Sequence, residues 1–164
     1  MCLHTTKMLP RIAMKDIETY KVVAKLNGEV YSPYREKYKW ELNQVIKDKE
    51  HPKIIKVKFY RDGTRLEKPE RKISRGFFHT YPDLLDAKKL FSHLSLQEMF
   101  EYSGYTIVKC VIPKGTLYYT GVDDNNFKCY ASRKLKMTDM EVISQANLII
   151  TRKINFYHVL VYKT

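Results

Sequence analysis

YTIVKCVIPKGTLYYTG, residues 105–121, holds two short runs of β-branched and aromatic side chains on either side of a Lys114-Gly115 turn. The first run, YTIVKCVIP (105–113), has the near-continuous apolar character of a buried strand. The second, TLYYTG (116–121), reads as its successor. VDDNN (122–126) is a cluster of turn formers. FKCYAS (127–132) is a third strand, and RKLKM (133–137) continues extended. Three successive strands joined by turns predict an antiparallel sheet.

Upstream, Pro82-Asp83 opens a helix over roughly 83–93, with Leu84, Leu85, Ala87, Leu90 and Phe91 on its apolar side. Ser95 with Glu98 has the form of a capping box for a second helix, 96–102, and Gly104 is a natural stop. ISRGFFHTYP (73–82) reads as a short strand. RDGTRLEKPERK (61–72) reads as a charged loop that Pro69 keeps irregular. IIKVKFY (54–60) alternates, so Ile55, Val57 and Phe59 are expected on a half-buried face opposite Lys56, Lys58 and Tyr60. A short helix is expected near 41–48.

IETYKVVAKL (17–26) reads as a strand, and Asn27-Gly28 after it is a hairpin signal. Residues 1–15 are expected to be irregular. Downstream, TDMEVISQA (138–146) fits a short helix, and NLIITRKINFYHVLVYKT (147–164) holds two strand-like runs. The expectation is one α+β domain over 1–164, mainly antiparallel, with two or three short helices. Its extension 138–164 packs on, or swaps into, the same sheet.

Composition narrows the function classes. The 164 residues carry 30 Lys plus Arg against 18 Asp plus Glu, a formal net charge of +12. At 44% hydrophobic residues the chain is too apolar for a disordered one. It lacks the run of about 18 apolar residues that a membrane helix needs. Its start, MCLHTTKMLP, lacks an apolar core of about 7–15 residues, so no secretory leader is expected. Cys2, Cys110 and Cys129 are odd in number and far apart, which fits free thiols in a reducing cytosol. Cys110, inside IVKCVIP, reads as a small buried hydrophobe. No metal spacing is present, and no cofactor is expected.

The charge is uneven. Residues 53–75 hold nine basic side chains (Lys53, Lys56, Lys58, Arg61, Arg65, Lys68, Arg71, Lys72, Arg75) against three acidic ones. Such a field attracts anionic partners. Tyr31, Tyr34, Tyr38 and Trp40 stand among Arg35 and Lys39. That mixture suits stacking on a base beside phosphate-holding cations.

SRGFFHTY adds a second candidate. Arg75 and His79 are four apart, so on one strand they share a face, and they precede a helix N-terminus where a phosphate can dock. Lys114-Gly115, followed by Tyr118, is a third possible phosphate cradle, although GxxxxGK[ST] is absent.

The leading expectation is therefore a non-enzymatic binder of an anionic nucleotide, held by Arg75, His79, Lys114, Tyr118, Tyr34 and Arg61, with a homo-oligomer as one way to enclose it. The first alternative is a nucleic-acid binder using Lys53, Lys56, Lys58, Arg65, Arg71 and Lys72. A nucleotide- or NAD-processing enzyme is another. His4-Thr5-Thr6 and His93-Leu94-Ser95 both fit the H-x-[ST] of two-histidine phosphoesterases, in which one His is base and the other acid. Arg61 with a late YAS (130–132) suggests an ADP-ribosyltransferase, although its E-x-E or Q-x-E pair is absent and Glu141 stands alone. An inhibitor of a protein partner, working by charge complementarity, is the last.

MCLHT, DIETYKV, YSPY, GFFHTY, VKCVIPKGTLYYTG and YAS together resemble a pattern shared by short proteins of gut Bacteroides-type bacteria and their phages. The resemblance covers most of 1–137. It implies a small intracellular domain in a phage or mobile-element setting, in the host cytosol if phage-encoded. It carries no activity across. It makes sequestration of a host signalling nucleotide an expectation by setting alone.

Overall fold

A computed structural model describes residues 3–6, 9–26, 29–32, 35–59, 65–97 and 104–144. The first half of the chain forms β1 Leu3–Thr5, β2 Arg11–Ile12, β3 Ile17–Leu26, β4 Glu29–Ser32, β5 Arg35–Lys39, β6 Val45–Lys47, β7 Lys53–Phe59, β8 Arg65–Arg75 and β9 Phe78–Thr80. Helix α1 Leu84–Gln97 follows, then β10 Gly104–Ile112, β11 Leu117–Asp123, β12 Lys128–Ser132 and β13 Lys134–Ser144. The strands form two sheets. One has the order β7-β8-β1-β11-β12-β9, with β2 on β11; the other runs β5-β4-β3-β10-β13-β6. The ladders are antiparallel.

The 105–113 run forms β10, which pairs with β3 from Gly104↔Lys25 to Ile112↔Ile17. Its apolar continuity has a direct cause, because both faces are covered. Tyr105 and Ile107, with Val22 and Ala24 of β3, meet Ala87, Leu90 and Phe91 of α1 and Leu3, Ile73, Tyr119 and Cys129 of the first sheet. Val108, Cys110 and Ile112, with Val23, pack on Trp40, Phe78, Leu135 and Met137. Lys109 breaks the run on the α1 side of the strand. There it reaches Glu18 at 2.8 Å.

β8 and β9 stand at the second and last places of the first sheet's order, yet only Gly76 and Phe77 separate them. The sheet must therefore curl until its two ends meet, as strands do when they close toward a barrel. The corner needs glycine. Gly76 has φ +75°, and a Cβ there would lie 2.8 Å from the backbone of Pro52. Tyr81, one residue beyond β9, then ties this sheet to the other. Its N–H donates to Tyr20 O at 2.7 Å and its carbonyl accepts from Tyr20 N at 2.8 Å.

Several sequence expectations are corrected. A single helix exists among the described residues, and it runs through Ser95. No Gly or Pro interrupts 84–97, and an internal serine costs a helix little, so the capping-box serine starts nothing. Residues 138–144 belong to β13, where the ladder to β10 overrides helix propensity. Residues 41–48 hold a turn at left-handed Asn43 (φ 61°) and then β6.

The charged loop 61–72 is, from Arg65 onward, part of β8. Pro69 is accommodated because it falls in the register break between Val57↔Glu70 and Phe59↔Arg65. β7 is an edge strand; on its expected half-buried face Val57 is half-buried, Ile55 is 43% exposed, and the side chain of Phe59 is outside the described set. The N-terminal segment is not irregular throughout, since β1 lies between β8 and β11. Residues 145–164 lie outside the described residues, as does the Asn27-Gly28 turn that the pair Leu26↔Glu29 brackets.

β1 presses against β11 at Gly121, where a Cβ would sit 2.1 Å from the carbonyl oxygen of His4. Overpacking a core costs about 1–3 kcal/mol, sometimes more. Gly115 has φ +79° but nothing within 4 Å of a Cβ, so alanine meets only conformational strain there. Urea unfolding of Gly121→Ala is expected to show the larger loss of the two. Equal losses would mean that β1 does not dock as described.

Candidate nucleic-acid interface

β7 and β8 form an antiparallel ribbon that presents cations in register. Lys53 stands opposite Arg75, Lys56 opposite Arg71, and Ile55 opposite Lys72. Lys53, Lys56 and Arg75 are exposed, and Arg71 and Lys72 are half-buried. Like charges directly opposite one another weaken a ribbon. Two such pairs occur here, and no ion pair among the described residues engages Lys53, Lys56, Arg71 or Arg75. Lys53 and Lys56 stand three apart on β7, so the two pairs lie on opposite faces of the ribbon; Lys72 shares the face of Lys53 and lies 3.6 Å from Asp124. Arg65 and Lys58 lie within the ribbon strands, and their side chains are outside the described set.

The nucleotide constellation is not assembled in one place. Tyr34 and Arg61 lie outside the described residues. Arg75 ends β8 and is exposed, whereas His79 sits in β9 and is only 7% exposed. The Gly76-Phe77 corner separates them, so the shared face expected of one strand does not form. His79 serves the corner itself: its Nε2 donates to Ser74 O at 3.4 Å, and its carbonyl accepts from Lys21 Nζ at 3.0 Å. Lys21 is itself buried and lies over the Trp40 ring at 5.7 Å. A lysine inside the strand IETYKVVAKL gave no local hint of that role.

The helix N-terminus is already capped. Asp83 Oδ1 accepts from Asp86 N at 2.9 Å, and two carboxylates in this turn repel a phosphate. The Lys114-Gly115 turn is likewise closed. Lys114 N donates to Asp16 Oδ1 at 2.8 Å, Gly115 N to Ala13 O at 2.8 Å and Thr116 N to Pro113 O at 3.1 Å, so these amides serve the fold and not a phosphate. Tyr118 is half-buried edge-on to Tyr130, with centroids 5.6 Å apart. Trp40 is a core residue edge-on to Phe78, not a stacking platform.

An open cleft of about 730 Å³ lies around His4, Glu70, Lys72, Thr120 and Asp124. Sequence reasoning placed His4 in an irregular terminus; β1 carries it instead into the middle of a sheet. Its Nε2 is 3.1 Å from Asp124 Oδ1 and its Nδ1 3.7 Å from Glu70 Oε2. Carboxylates flank both ring nitrogens, and this clasp ties β1 to β8 and to the turn after β11. His93 lies on α1, so the two H-x-[ST] segments do not share a sheet. Glu141 lies on β13, and its side chain is outside the described set.

Asp123, beside the cleft, is buried and fully employed. Its Oδ1 accepts from Asn125 N and Phe127 N, each at 2.9 Å, and its Oδ2 from Tyr81 Oη at 2.8 Å. Among the described residues no group of His, Cys, Asp and Glu is arranged to hold a metal ion, and no helix is long and apolar enough to cross a membrane. No protein-family model, curated protein or solved structure matches the chain.

The two described thiols are inert. Burial pushes Cys110 up to about 12. Burial, then Asp123, Asp124 and Asp86, raise Cys129 further. A thiol reagent at pH 8 is expected to leave native Cys2→Ser protein unlabelled and to label two thiols once it is denatured. Unfolded thiols ionise near about 8.5. The unfolded chain therefore loses these protons first, and the stability that the neutral thiols supply below that pH falls as pH rises toward 12. Labelling of the native variant would contradict this burial.

Proposed function

We propose that this protein binds nucleic acid through its phosphate backbone, using the β7–β8 ribbon. The observation that carries the reading is the pair of cross-strand like charges, Lys53↔Arg75 and Lys56↔Arg71. A ribbon held only for stability has no use for two repulsive pairs. The pairs lie on opposite faces, and an anion on the face of Lys53↔Arg75, where both side chains are exposed, turns that pair into a two-pronged clamp, with the guanidinium able to bind phosphate by two hydrogen bonds.

The described outward side chains of the ribbon are cations, so the affinity they supply is electrostatic. Binding is then insensitive to sequence and weakens steeply with salt. A mononucleotide pocket receives less support. Three of its expected elements are engaged within the fold: His79 through Nε2 and its carbonyl, the Lys114-Gly115 turn through its amides, and the helix N-terminus through the Asp83 cap.

Fluorescence anisotropy with a labelled 20-mer tests the proposal. Each phosphate contact on a single strand contributes about 0.7 to the slope of log K against log salt. Lys53→Gln with Arg75→Gln is expected to weaken binding at least tenfold and to flatten that slope by about 1.4. Its melting temperature should hold or rise, because the exchange removes a repulsion. Unchanged affinity in this variant would exclude the ribbon as the interface.

A further inference from the structure

The ribbon is not the end of the basic surface. β7 begins at Lys53, and the segment that leads into it alternates. Lys47, Lys49, His51 and Lys53 are exposed, while Asp48 between them is buried. Asp48 is anchored inward, its N–H donating to Arg133 O at 3.0 Å and its Oδ1 accepting from Glu50 N at 2.9 Å. Arg133 completes the anchor. Its Nη1 donates to Glu50 O at 3.0 Å and to Gly76 O, and its guanidinium lies 5.6 Å over the Phe77 ring. One side chain thus pins the 48–50 stretch onto the corner where β8 turns into β9. The outward positions of that stretch follow directly on the Lys53↔Arg75 end of the ribbon.

At its far end the segment becomes β6, and the charge pattern repeats. Lys47 stands opposite Lys134 of β13, and Lys136 stands opposite Val45. Ile46 and Leu135 turn inward to the second core, so Lys47, Lys134 and Lys136 share the outer face. A cleft of about 570 Å³ beside them is lined by Lys39, Lys47 and Lys49 together with Glu50, Gln44, Val45 and Ile46, and Lys39 is ion-paired with Glu29. This is a further like-charge cross-strand pair, on the other sheet.

We infer that the nucleic acid is held along one continuous strip that leaves the ribbon at Lys53, crosses the Arg133-pinned segment and ends on the Lys47–Lys134–Lys136 face. The inference rests on the phosphate-binding reading of the ribbon and extends it to a second half-site. From Lys53 to Lys47 the chain takes six steps, at most about 20 Å when extended. The ligand class is accordingly a polynucleotide long enough to span both halves, and not a mononucleotide or dinucleotide.

Lys47→Glu with Lys134→Glu tests the strip, since both side chains are exposed and outside the core. With a 20-mer single strand this variant is expected to bind at least tenfold more weakly than wild type, with a salt slope lower by about 1.4. With a 4-mer, too short to leave the ribbon, wild type and variant should bind alike. A variant as tight as wild type on the 20-mer, while Lys53→Gln with Arg75→Gln is weakened, overturns the strip and leaves the ribbon standing. If neither variant loses affinity, both readings fall. Equal weakening on the 4-mer and the 20-mer also overturns the strip, because the loss then does not depend on reaching a second half-site. Melting curves of both variants confirm that the fold is intact.

Discussion

Two residues, Gly76 and Phe77, connect the second and the last strand of one sheet's order, and this closure sets the geometry of the rest. A chain cannot cross several strand widths in two residues, so the sheet has to roll up until β8 and β9 are neighbours through the corner. Gly76 permits the turn by its left-handed φ and by leaving room for Pro52. Arg133 holds the corner shut by donating to Gly76 O and Glu50 O and covering the Phe77 ring. Arg133 is also the residue by which the chain passes from β12 to β13, out of one sheet and into the other. The closure and the inter-sheet crossing thus share one guanidinium.

A second joint lies just beyond. Tyr81 is buried, exchanges backbone hydrogen bonds with Tyr20 of β3, and donates its phenol proton to Asp123. Asp123 in turn gathers the amides of the turn after β11. Lys21, one residue from Tyr20, reaches back to His79 O. Polar groups so deeply placed are stabilising only when satisfied, and these are satisfied by each other across the two sheets. This is why His79 and the residues near it, which resemble a ligand site in the sequence, are part of the joinery.

The local elements were legible where a single physical cause dominates. The strand 17–26 and the run 105–113 read correctly because burial on both faces leaves a near-continuous apolar pattern. The thiol of Cys110 read correctly for the same reason. Misreadings arose where distant pairing decides. Residues 65–72 look like part of a charged loop, yet they pair with β7 on one side and, at Arg71 and Lys72, with β1 on the other. Residues 138–144 look helical, yet they run along β10.

The site followed the same rule. Charge density pointed to 53–75 without help from the fold, because charge is a property of composition. The opposition of Lys56 to Arg71 depends on register, and that of Lys47 to Lys134 depends on topology. Neither can be counted off a single strand.

A lysine on an edge strand has an ordinary explanation, since charge there discourages edge-to-edge pairing between copies. That explanation covers Lys53 and Lys56 on β7. It does not cover β8, which is hydrogen-bonded on both sides over residues 71–73 and exposes no edge there to protect. Arg71 faces Lys56 from an interior strand, where an apolar or acidic residue would support the ribbon better. Like charges also oppose one another at Lys53↔Arg75 and, on the other sheet, at Lys47↔Lys134. The common feature of the three pairs is therefore not their place at an edge but the sign of the charge they concentrate, and a polyanion is the partner that makes such pairs favourable.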